Sequence, residues 1–229
     1  PGSQDPVHEQ RPPQDAAGIA RHDRQRSRLG HPPLRQLLRH VRAAARGARR
    51  RAVQRLRRKG LFKTEIRSDD PVLFLEHKSL LASTAAVPED DYALPFGEAA
   101  VVQEGSDATV VAIAGMVPRT VEAVTQLAAE GISTEVVDPR TLAPLDTTTI
   151  LESLHKTGRL LVLDECVGTC GIGAELLARV IEEGFDDLDA PARRLTGAAA
   201  PTPYSPPLEQ AVTPQTGDIP QAIRDLLAE

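Results

Sequence analysis

Along the second half of the chain, short unbroken apolar runs alternate with longer segments whose apolar positions recur every three or four residues. Thr109–Ala114 and Ile132–Val137 read as strands, and Leu160–Leu163 is an apolar run of the kind covered on both faces. Between them, the stripe Val121, Val124, Leu127 and Ala128 predicts a helix from about Pro118 to Glu130, ended by Gly131. Asp146 is placed to cap a second helix whose stripe is Ile150, Leu151 and Leu154 and which stops at Gly158. Ile172, Leu176, Leu177, Val180 and Ile181 line a third, followed by a strand over Ala192–Thr196. A loop with many prolines, Ala198–Thr216, leads to a last helix over Asp218–Leu227. Strand–helix–strand repeats with short connections predict right-handed crossovers. The expected fold is α/β, a three-layer sandwich with a mostly parallel sheet between helices, from residue 100 to 229.

Upstream the pattern is different. Gly60–Arg67 reads as the end of a helix, Asp69-Asp70-Pro71 as a turn, and Val72–Leu75 as a buried strand. Residues 59–80 would then be a remnant of a preceding domain, joined to the array by a linker over 81–99 that holds Pro88, Pro95 and Gly97. Residues 1–58 have no sustained apolar period and no aromatic residue, and they carry 15 Arg without Lys against 4 acidic residues, a net of +11. The remaining residues carry 12 basic and 28 acidic side chains, a net of −16. An arginine-rich arm binding nucleic acid would use that charge through phosphate neutralisation. The absence of stacking aromatics favours a disordered segment.

Composition narrows the classes further. No run reaches the ~18 apolar residues of a membrane helix, the first residues lack a secretory apolar region, and two cysteines in 229 residues suit a reducing, cytoplasmic setting. Gly171-Ile172-Gly173 follows a strand and opens a helix, but without a third glycine it reads as tight strand–helix packing and not as a dinucleotide fingerprint. Cys166 and Cys170, four apart across a turn, match neither a C-x-x-C pair nor a zinc set; they are small loop residues or a regulatory thiol. No metal ligands are assigned. Glu76 and His77 stand at the carboxyl end of an expected strand, where α/β sites gather, and are the candidates for lining a cofactor site. His155 lies near a helix C-terminus, where positive charge is favourable.

Five separated motifs then point to one family. DDPVLFLEHKSLL, VPEDDYALPFGEAAVVQEGSDATVVAIAGMV, ISTEVVDPRTLAPLD, DAPARRLTG and AAAPTPYSPPLEQA follow in its order and spacing. Residues 59–229 resemble the β subunit of thiamine-diphosphate-dependent 2-oxoacid dehydrogenases, the E1 component of pyruvate, branched-chain and acetoin complexes, ending in the transketolase C-terminal domain. The resemblance implies oxidative decarboxylation of a 2-oxo acid with thiamine diphosphate and Mg2+, and acyl transfer to lipoyl-E2. It implies as partners an E1 α subunit and a second β subunit, in a heterotetramer, and the peripheral subunit-binding domain of E2, with no membrane and no nucleic acid. No residue matches the family's cofactor-activating glutamate or its loop histidine, so this chain alone is expected to be inactive. The alternative is a non-catalytic association module. By the same resemblance Asp186, Asp187, Asp189, in its Leu-Asp-Ala-Pro motif, and Glu229 would dock the basic E2 domain.

The family also suggests a source for residues 1–58. Its strand just before Lys59, of the type Val-Val-Val-Pro-Ser-Asn-Ala-Tyr-Asp-Ala-Lys, written in GC-rich codons and read out of frame, gives Arg-Arg-Arg-Ala-Val-Gln-Arg-Leu-Arg-Arg. Those ten residues are Arg49–Arg58. The hypothesis is that 1–58 is frame-shifted translation. Sequencing the gene across the codons for Arg58 and Lys59 tests it: a lost base is expected, and an unbroken frame rejects it.

Overall fold

A computed structural model describes residues 49–81 and 88–229. A five-stranded sheet is the middle layer. Its strands are β1 (Ala100–Gln103), β2 (Ala108–Ala112), β3 (Thr134–Asp138), β4 (Leu160–Val167) and β5 (Arg193–Gly197), in the order β1-β3-β2-β4-β5. β2, β3, β4 and β5 are parallel, and β1 is antiparallel to β3 at one edge. The helices are α1 (Arg49–Ile66), α2 (Met116–Ala128), α3 (Thr147–Thr157), α4 (Ile172–Gly184), α5 (Pro206–Val212) and α6 (Asp218–Leu227).

Every side chain of β2 and β3 is buried, as sheets covered on both faces require. On one face Val110, Ala112, Val136, Leu161 and Leu163 meet Val117, Val121, Val124 and Leu127 of α2 and Ile219, Ile223 and Leu226 of α6. On the other, Val111, Val137, Leu160 and Val162 meet Ile150 and Leu154 of α3 and Ile172, Leu176 and Val180 of α4. Each such fully buried aliphatic is worth ~1.5–3 kcal/mol, far above the few tenths that separate ordinary helix propensities. These helices form because they pack.

The α/β three-layer expectation holds, and α6 spans the predicted residues. α3 is capped as expected. The Asp146 carboxylate accepts from the Thr149 N–H at 3.0 Å, and Gly158 closes the helix at φ 67°, a conformation that favours glycine. The same carboxylate accepts from the Ala99 N–H at 2.8 Å, tying the linker end to the helix start.

Three expectations need correction, and one strand, β1, was not expected. Val72–Leu75 is not a buried strand. It is half-buried and makes a single bridge at Leu75, because no neighbouring strand among the described residues gives it a ladder. α2 begins two residues before Pro118, and its buried stripe uses Ala123, while Ala128 faces solvent. The Ala198–Thr216 loop contains α5, whose Pro206 and Pro207 sit in the first turn, where a missing N–H costs nothing. Edge strand β1 carries only four residues, too few for a period to stand out. Of the segment expected to be disordered, residues 1–48 lie outside the described residues, as do 82–87 of the linker. Its last ten residues run helically into Lys59, in keeping with a stretch of Arg, Ala, Leu and Gln free of Pro and Gly.

Replacing Asp146 tests the cap. Burial pushes its pKa up, but the hydrogen bonds from Ala99, Thr149 and Thr148 prevail and hold it below the ordinary 3.8. Asp146→Ala should cost about 1–2 kcal/mol in denaturant unfolding at neutral pH. A depressed pKa stabilises the fold above the unfolded value, so the gap between the two proteins should close as pH falls below 3.8. A gap that persists in acid would assign the loss to packing.

Candidate functional site

Two groups of polar side chains gather at opposite ends of the sheet. At the carboxyl ends, residues 59–81 reach the crevice between β2 and β4. α1 packs on the segment ahead of β1, with Leu61 buried and the Thr64 hydroxyl donating to the Leu94 carbonyl at 2.5 Å. His77 follows and enters the crevice. Its Nε2 lies 2.7 Å from Glu165 Oε2, and its Nδ1 lies 2.8 Å from the Ser79 hydroxyl. A hydroxyl can donate or accept, so Ser79 suits either protonation state of the ring. A Cβ on Gly115, just after β2, would sit 2.8 Å from His77 Nε2, so only a glycine lets the ring lie flat on that turn.

The backbone around this crevice is constrained. Ala114, Arg140 and Cys170, which follow β2, β3 and β4, all have positive φ, at 49°, 55° and 55°. Non-glycine residues there cost of order 1 kcal/mol each and are held by surrounding contacts. Here the Asp138 carboxylate accepts from the Arg140 N–H at 2.9 Å, and the Asp164 carboxylate accepts from the Cys166 N–H at 3.1 Å. Of the two expected site residues, His77 lies in the crevice, whereas Glu76 is exposed and pairs with Arg58. The sequence reading missed Glu165. It missed Gly115 as well, since a close approach across 38 positions leaves no local signal. Gly171 and Gly173 behave as packing residues: a Cβ on Gly173 would press on Val162 at 3.3 Å.

At the amino ends lies an open cleft lined by Ser106, Asp107, His155, Lys156, Arg159, Asp186, Asp187, Asp189 and Leu227. Three of the four expected docking carboxylates are here: Asp186 and Asp187 from the turn after α4, and Asp189 from the entry to β5. The Asp189 N–H donates to the Gly158 carbonyl at 2.7 Å, and a Cβ on Gly158 would fall 2.1 Å from Asp189 Oδ2. The glycine therefore serves both helix termination and the seat of Asp189. Glu229 does not line the cleft; it is paired with Arg193 at the start of β5. Beside the cleft, buried Glu135 accepts from Lys156 Nζ at 2.5 Å and from the Gly105 N–H at 3.2 Å. Burial pushes the Glu135 pKa up, but these bonds and one from Ser153 prevail and keep it below its ordinary value.

His155 Nδ1 lies 2.7 Å from Asp187 Oδ1, and that bond holds the imidazole above its ordinary 6.5. A raised pKa stabilises the fold below the unfolded value and loses that contribution as pH rises through the folded one. In an NMR titration, His155 should titrate above 6.5 and move back towards it in Asp187→Asn, and the variant's loss of unfolding stability should be seen below pH 6.5 and vanish as pH rises. An unmoved titration in the variant would show that the pair does not form.

Comparison with known proteins places this geometry. The profile of the family "Transketolase, C-terminal domain" matches residues 97–219. The β subunit of acetoin:2,6-dichlorophenolindophenol oxidoreductase from Cupriavidus necator is 45% identical over 166 residues, 72% of this chain and 49% of that subunit. The corresponding Bacillus subtilis subunit is 42% identical over 75% of this chain and 50% of its own length. The pyruvate dehydrogenase E1 component β subunit of Porphyra purpurea is 42% identical over 74% of this chain and 51% of its own. The chain thus spans about half the length of each of these relatives. Among solved structures, a split-gene transketolase described as an inactive β4 tetramer superposes with a TM-score of 0.59 at 25% identity, covering 82% of this chain and 57% of that one.

Proposed function

The chain belongs to the transketolase C-terminal domain family, and from that premise we propose that it is the association and docking part of the β subunit of a thiamine-diphosphate-dependent 2-oxoacid dehydrogenase E1. It is homologous to E1 β subunits of the pyruvate and acetoin types, and that homology, over nearly three quarters of the chain, carries the reading. On this reading it works in the cytoplasm with an α subunit and a second β subunit, in an enzyme that oxidatively decarboxylates a 2-oxo acid and passes the acyl group to lipoyl-E2. The superposition on a transketolase chain named as a β4 tetramer supports self-association.

Thiamine diphosphate with Mg2+ would supply the carbanion chemistry in such an enzyme. The described residues do not fit as its holder. Among them no cluster of three or more His, Cys, Asp or Glu could hold the metal, and the crevice between β2 and β4 is already filled by His77 and Glu165. On this reading the chain's part is placement of partners, with proton transfer and cofactor activation supplied elsewhere in the assembly. We retain frame-shifted translation as the origin of residues 1–58.

Docking of E2 is the step the chain's own residues can perform. The cleft presents Asp186, Asp187 and Asp189 within residues 59–229, whose net charge is −16, which suits a small basic domain. Glu229, held by Arg193, borders β5 at the same end of the sheet. Asp189→Asn keeps the shape of the side chain over Gly158 and removes only its charge. In calorimetry of the chain against an E2 peripheral subunit-binding domain, that variant should weaken binding about twofold to fivefold at low salt, the ~0.5–1 kcal/mol of an exposed ion pair. The difference should shrink at high salt. Equal affinities at low ionic strength would remove Asp189 from the docking surface.

A further inference from the structure

We propose, resting on E2 docking at the amino-end cleft, that Arg159 receives a carboxylate of the docking domain, so that the partner is a basic domain with one acidic residue in its contact. Three basic side chains line this cleft, His155, Lys156 and Arg159. Two are engaged. His155 Nδ1 lies 2.7 Å from Asp187 Oδ1, and Lys156 Nζ donates to Glu135 at 2.5 Å and to Glu104 at 3.1 Å. Among the described residues the Arg159 side chain has no hydrogen bond or ion pair, and its Nε is buried without an acceptor. The cleft also holds Asp107, Asp186, Asp187 and Asp189, yet the guanidinium pairs with none of them. Asp107 accepts instead from the Ser133 N–H at 2.7 Å and the Ser106 hydroxyl at 2.9 Å, and Asp187 is held by His155.

The backbone fixes where this side chain starts. Arg159 lies between Gly158 and the first residue of β4, and its carbonyl accepts from the Thr109 N–H at 2.8 Å and the Thr157 hydroxyl at 3.3 Å. With Nε inside, the partly exposed remainder of the residue lines the cleft. A guanidinium is a planar fork of donors that matches a carboxylate through two parallel bonds. A free anion is a poor occupant, because Asp186 and Asp189 stand exposed in the same cleft and repel it. A carboxylate carried on a basic domain arrives with cations for those two aspartates, so each charge meets its opposite. Such an alternation fixes orientation as well as affinity, since a rotated domain would set its own cations against Arg159.

Long-range charge alone predicts the opposite sign: removing a cation from an acidic surface strengthens its binding of a basic domain. In calorimetry of the full chain against the same organism's E2 peripheral subunit-binding domain at low salt, Arg159→Gln should instead weaken binding about threefold to tenfold, more than an exposed pair and less than a buried one. Replacing the domain's Asp and Glu residues one at a time by amides should find one that weakens binding to the unaltered chain by a similar factor. That amide should have no further effect on Arg159→Gln. Equal or tighter binding by Arg159→Gln, or a domain in which no single amide weakens binding, overturns the proposal and leaves docking at the cleft in place. No binding by the unaltered chain removes the docking role and this contact with it. Should Arg159→Gln fail to fold, the amide series against the unaltered chain decides alone.

Discussion

Parallel strands cannot be joined by tight hairpins, and strands covered on both faces cannot carry uncompensated polar side chains. β2 and β4, the hydrogen-bonded pair near the middle of the sheet, obey both constraints, and much of the molecule follows from them. Each parallel connection needs a crossover long enough to return to the same edge, so α2, α3 and α4 lie between successive strands. Each crossover helix must also cover the sheet, which fixes its apolar stripe. After α4 the face built on α2 would still be partly open, and α6 closes it with Ile219, Ile223 and Leu226.

Apart from Thr134, whose buried hydroxyl has no partner among the described residues, the exceptions to the apolar rule lie where compensation is available. Thr109, inside β2, shares its hydroxyl with Ser153 and Thr157 of α3, each at 2.7 Å, so a polar link between helix and sheet replaces what would otherwise be an orphaned group. Glu135, 2% exposed, keeps its charge because Lys156 and the Gly105 N–H reach it from the amino end. Asp138 ends β3 and Asp164 lies in the carboxyl half of β4, and each turns its carboxylate onto the N–H group two residues on. Polar burial thus marks the two ends of the sheet, and the middle is left to aliphatic side chains.

This division explains what the sequence alone revealed. α3 was legible to the residue, because Asp146 and Gly158 are local signals and its stripe has a clear period. β1 was not legible: a four-residue antiparallel edge strand depends on β3 for its existence, and nothing within Ala100–Gln103 announces that partner. Val72–Leu75 failed for the related reason that an apolar run becomes a strand only beside another strand. At the candidate sites, the end of an expected strand singled out His77, and position in a motif singled out Asp189. Neither could single out Glu165 or Gly115, which matter through contacts between segments far apart in sequence.

In open α/β sheets the usual ligand position is the crevice where successive crossovers diverge, outside the carboxyl ends of the strands. Here that crevice lies between β2 and β4, since the chain moves from β2 to β3 on one side and then to β4 on the other. The chain fills it with its own His77, seated on Gly115 and bonded to Glu165. A position that would hold a small molecule in other folds of this class serves instead to join the segment before the domain to the domain itself. The amino end has the opposite character. Its cleft is open, and the Asp186 and Asp189 side chains are exposed there beside the His155–Asp187 pair. An exposed charge has little to lose in desolvation, and its field reaches a partner before contact. One end of the sheet is thus closed by the chain's own His77 and Glu165, while the other leaves its carboxylates exposed to solvent.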